Sequence, residues 1–142
     1  MRLKLPTITR VGFRVWEYRV NHKQLLIRSP KGADSSKNVD VMFYNVQYMD
    51  LPSDLPDLEF AKPLRNEIAF AESRMGKTVG NDLVFVLKSG DQRHIVVAGS
   101  AAVAENDMDV LDSPFTLPPI ELSKLIKNPS LLNLLLFRFF QP

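Results

Sequence analysis

The sequence predicts an α+β protein built on a curved, mainly antiparallel sheet of about six strands. Three observations lead there. Residues 11–20 alternate Val11, Phe13 and Val15 and then switch to Trp16, Tyr18 and Val20, and residues 39–48 alternate Val39, Val41 and Phe43 before switching to Tyr44, Val46 and Tyr48. Successive side chains on a strand point to opposite faces, so each switch needs an extra residue in the ladder or a change of partner, and both strands bend there. The third observation is the pair of apolar runs 82–88 and 93–98 around Ser89-Gly90-Asp91-Gln92, a hairpin signal. Its first strand is apolar on both faces and needs cover on both.

The remaining elements follow in order. Strand 11–20 returns through Asn21-His22-Lys23-Gln24 to a second strand at 25–28. The polar residues 29–38 form a loop of turn formers, expected to be mobile. Beyond the strand at 39–49, two prolines and three aspartates in residues 50–57 argue against regular structure. Residues 58–61 suit an edge strand. From Pro63 the period becomes helical: Leu64, Ile68, Ala71 and Met75 share one face, Pro63 suits the first position and Gly76 the position past the end. One central helix over about 64–75 is therefore expected. The second strand of the late hairpin continues through 100–105, an acidic turn follows at 106–112, and residues 120–127 form a short helix stopped at Asn128-Pro129.

The final run, residues 131–140, is the most apolar piece of the chain. It is about half the roughly 20 residues needed to span a bilayer, and Asn133 and Arg138 interrupt it. The expectation is no membrane span but a helical C-terminal segment that closes the core, with a homodimer contact as the alternative use of the same surface.

Composition fits a single globular domain over 1–142. The chain is 45% hydrophobic and 24% charged, with no cysteine, which excludes disulfides, thiolate metal sites and a cysteine nucleophile. No signal-peptide pattern opens the chain, so a cytoplasmic location is expected. The net charge of +2 is unevenly spread: residues 1–38 hold nine Lys or Arg against two acids, whereas residues 39–62 hold one against five.

Motifs for chemistry are weak. Residues 71–78 loosely match a phosphate-binding loop, but a helix precedes Gly76 where a strand is required, and a helix C-cap explains the same residues. The acids Asp107, Asp109 and Asp112 lack the central Gly and terminal Glu of a calcium loop. His22 and His94 stand in no nucleophile motif. No catalytic residue, cofactor or metal is assigned on these grounds.

The expected function is therefore that of a non-enzymatic binding protein recognising another protein, such as a small bacterial inhibitor or immunity-type protein. Its candidate contact residues are Lys31, Asp34 and Lys37 in one polar loop, and Asp50, Asp54 and Asp57 in the acidic one. The alternative is a nucleic-acid-binding domain using Arg10, Arg14, Lys23 and Arg28 of the basic first third. The parity switches weigh against that alternative, because they turn Trp16, Tyr18, Tyr44 and Tyr48 toward the core. A small enzyme with an unrecognised site is the third reading.

Overall fold

A computed structural model describes residues 7–126. Seven strands form one sheet: β1 (Phe13–Arg19), β2 (Gln24–Ser29), β3 (Asn38–Asp50), β4 (Asp54–Leu55), β5 (Glu59–Ala61), β6 (Val84–Ser89) and β7 (Gln92–Asn106). Their order is β4-β1-β2-β3-β7-β6-β5 and every neighbouring pair is antiparallel. This is the α+β class with a curled sheet. The strand beyond the expected six is β4, which lies in the proline-rich stretch. It is only two residues long, and Pro52 and Pro56 fall outside it, so no ladder bond is forfeited.

The curl has a simple chain-level cause. β4 and β5 are the opposite ends of the sheet, yet only residues 56–58 separate them. The sheet must roll into a half-barrel for one short segment to reach both edges. Its concave side is filled by residues from all seven strands, including Phe13, Leu25, Ile27, Val41, Phe43, Leu55, Phe60, Leu87 and Val96. Phe43, Phe60 and Phe85 meet there edge-on or tilted, with ring centroids 5.6–6.5 Å apart.

Both parity switches are present. In β1, Val15 opposes Ile27 and Glu17 opposes Leu26, leaving Trp16 as the extra residue. In β3 the concave-face series Val39, Val41, Phe43 lengthens its step to reach Val46, and on β7 the series Val96, Ala98 lengthens to Ala101 and Val103. Asn45, between Phe43 and Val46, carries a φ of 54°. The switch therefore falls at Asn45, one residue later than the apolar pattern places it. Tyr44 stays on the face of Met42, where it packs edge-on against Phe115 at 5.4 Å. A second extra residue, Gln47, sits between the pairs Val46–Ala98 and Tyr48–Val97.

The convex side carries two further clusters. Helix α1 (Arg65–Met75) covers one, with Ile68, Ala71 and Met75 against Val84, Ile95, Val97 and Tyr48. Leu64 is the N-cap and half-exposed, so the helix starts two residues after Pro63, while Glu67 reaches back to accept from the Leu64 N–H at 2.9 Å. Gly76 ends the helix in the left-handed conformation at φ 73°. The other cluster, Leu26, Met42, Tyr44, Ala102 and Ala104, is covered by residues 115–126. These include the single-turn helix α2 (Pro119–Ser123), shorter than expected because Ile126 leaves it to bridge Ala104. Trp16, Tyr44 and Tyr48 are thus drawn into packing, but on the convex side, and Tyr18 remains 39% exposed. The expected C-terminal helical segment at 131–140 lies outside the described residues. No helix among the described residues is long and apolar enough to cross a membrane.

Candidate functional site

The polar groups divide into those that hold the fold and those that remain at its surface. The largest internal group lies on the convex side of β2, β3 and β7. Arg28, fully buried, donates Nε to Asp40 Oδ1 at 2.6 Å and an Nη to Oδ2 at 2.9 Å. Its other Nη donates to the carbonyls of Val110 and Asp112, and its guanidinium lies 5.7 Å from the Trp16 ring. The Trp16 indole N–H also donates to Val110 O. Asn106 donates to Asp40 Oδ2, and Asn38 donates to Asn106 Oδ1 and Met108 O. A fork-to-fork pair with further hydrogen bonds to both partners is the arrangement in which a buried ion pair is tolerated. It also explains residues 107–112: their carbonyls are tied down by Arg28, Asn38 and the Lys31 ammonium.

Arg28 therefore leaves the nucleic-acid set. Its burial keeps it from any phosphate. Arg10 spends its guanidinium on the carbonyls of Pro30 and Lys37, and Arg14 is 3.5 Å from Asp54 in an exposed pair. Lys23 lies exposed at the opposite end of β1, in the turn after residues 20–22.

A second internal pair fixes α1 to the sheet. Arg93 donates two bonds to Glu67 and one to Lys62 O. The bonds from Arg93 hold the Glu67 carboxyl below its usual range, against a smaller opposing effect of burial, and the same contact raises Arg93. Burial likewise pushes the Tyr44 phenol up. His22 is exposed, and His94 stands opposite Leu87 within the sheet. Among the described residues, no group of three or more His, Asp or Glu is placed to hold a metal.

What remains is a composite surface around residues 10–12, to either side of which the chain brings the two polar loops. On one side Arg10 grips residues 30 and 37, and Ser29 Oγ donates to Val11 O at 2.6 Å. The loop is further pinned by a Gly32–Ser35 bridge and by the Lys31 N–H on Asn38 Oδ1, so the expected mobile loop is a small bonded turn. On the other side the Gly12 N–H donates to Pro56 O at 2.7 Å. Asp57 then accepts from the Gly90 N–H at 2.6 Å and from Ser89 Oγ, capping the β6–β7 turn, where Gly90 takes a φ of 59°. Between residues 7–11 and residues 57–60 lies an open cavity of about 470 Å³, edged by Arg10, Asp57, Glu59 and Lys88.

Of the six residues expected to contact a protein, Asp34, Lys37 and Asp54 lie exposed on the loops that flank residues 10–12. Lys31 and Asp57 lie there too, with their charged groups engaged in loop and turn contacts. Asp50 is elsewhere, paired with Ile95 at the far end of β3. Val11, 64% exposed between the two loops, and the cavity beside it had no sequence signal, because both arise from a junction of distant segments. No protein-family model, curated protein or solved structure matches this chain.

Proposed function

We propose that the protein is a non-enzymatic binding protein that recognises another protein through this composite surface around residues 10–12, in the manner of a small inhibitor or immunity-type protein. The observation that carries the reading is the locking of two charged loops, which flank β3 in the chain, on either side of an exposed Val11, with a 470 Å³ cavity beside the second of them. Rigid loops of mixed charge around an apolar centre suit a protein partner, because little entropy is lost on ordering them at contact. The burial of Arg28 and the engagement of Arg10 with two backbone carbonyls reduce the cation set that a nucleic acid needs.

Site-specific photo-crosslinking tests the surface. A photoreactive residue at Val11 or Asp34 is expected to give a discrete adduct with one protein in the native cell extract, and the same residue at Ser73 on α1 none. Equal labelling from both faces, or no adduct from Val11 and Asp34, contradicts the proposal.

A further inference from the structure

β1 is an edge strand for half its length. β4 pairs only with Phe13 and Arg14, and the Val15 N–H donates to Ser53 O at 2.9 Å. From Trp16 to Arg19, no described residue pairs with β1 on the side away from β2. An exposed strand edge is a template for another strand, and apolar side chains along it increase that tendency. Here Val15, Tyr18 and Val20 are 36%, 39% and 77% exposed.

The sequence of this edge also names its partner. In an antiparallel pairing of β1 with the same strand of a second copy, centred on Tyr18, Glu17 faces Arg19 of the second copy and Arg19 faces its Glu17. The two acidic and two basic residues meet as opposite pairs about a two-fold axis, as an isologous contact requires. Within one chain the same residues make a poor pair: Arg19 Nε lies 3.4 Å from Glu17 Oε1, and that oxygen accepts no hydrogen bond. Residues two apart on one strand are separated by about 6.6 Å of rise, whereas directly opposed residues have Cβ atoms about 5 Å apart. Backbone direction agrees with this register. The Val15 N–H points to the open side, and allowing for the extra residue at Trp16, the next residue to point there is Tyr18.

We infer that the open edge of β1 is a homodimer interface, in which residues 17–19 of two copies pair antiparallel about Tyr18 with Glu17 opposite Arg19. The contact needs no other ligand and stands apart from the protein-recognition reading, whose surface surrounds residues 10–12.

Charge reversal on the intact chain, read by sedimentation velocity, tests it. Glu17→Arg and Arg19→Glu each place two like-charged pairs across the axis and are expected to raise the dimer dissociation constant about tenfold or more. The double variant E17R/R19E restores both pairs and the dimer. Mixing the two single variants gives a heterodimer, since the two arginines that one chain then carries at this edge face the two glutamates carried by the other. Near-UV circular dichroism checks that each variant is folded. Should a reversal unfold the chain, Tyr18→Pro, which removes the outward N–H, provides an independent loss of dimer. A wild-type chain that stays monomeric at its highest soluble concentration overturns the inference, as does a dimer that folded single variants leave intact.

Discussion

Arg14 and Arg28 are direct cross-strand neighbours, and each pairs with an aspartate on its other side, yet the two pairs do different work. Arg14 and Asp54 are 67% and 70% exposed and 3.5 Å apart. Arg28 and Asp40 are wholly buried, share two hydrogen bonds and carry the carbonyls of residues 110 and 112 besides. The difference comes from cover. β4 lies beside Arg14 for two residues only, whereas residues 107–113 fold over Arg28. Residue type and spacing are alike at the two positions, so burial alone separates a loop anchor from a surface charge.

Breaking the buried pair gives the largest effect. Asp40→Ala leaves an uncompensated buried guanidinium and is expected to cost about 3–5 kcal/mol of unfolding free energy in urea titrations, with faster hydrogen exchange in residues 107–112. The double replacement Arg28→Met with Asp40→Leu is expected to cost less than Asp40→Ala by itself. Removing one support is milder: Asn106→Ala removes the bond to Asp40 Oδ2 and the acceptor shared by the Asn38 amide and the Met108 N–H, for about 1–3 kcal/mol.

The Glu67–Arg93 pair sits between the extremes, at 13% and 28% side-chain exposure. Glu67→Gln is expected to cost about 1 kcal/mol at neutral pH after allowance for solvent screening. Because the folded state lowers the Glu67 pKa, its contribution is complete above the unfolded-state value and is lost as pH falls through the folded one. Stability curves of wild type and variant therefore converge on acidification below the usual glutamate range. The smallest effect is at the surface: Arg14→Ala changes stability by less than about 1 kcal/mol, and the change fades in high salt.

The fold was legible in the sequence where periodicity was strong. The two parity switches announced the bent strands, and Gly76 announced the end of α1. Two residues of β4 carry no readable period, and the switch near Asn45 was displaced because Tyr44 answers to Phe115, a contact across 71 positions. The candidate surface was half legible. Turn formers and charge picked out both loops, but nothing local showed that Arg10 and Gly12 would seat them side by side. Arg28 resembles a surface cation in the sequence for the same reason. Its burial depends on residues 107–113, more than 75 positions later.

Paired double-mutant cycles for Arg28–Asp40 and Arg14–Asp54, in urea at low and at high salt, test the separation of anchor from surface most directly. A coupling of about 3 kcal/mol or more that salt leaves unchanged is expected for the first pair, and one of less than about 1 kcal/mol that salt removes for the second. Equal couplings, or an Arg28–Asp40 coupling that salt abolishes, would contradict that separation.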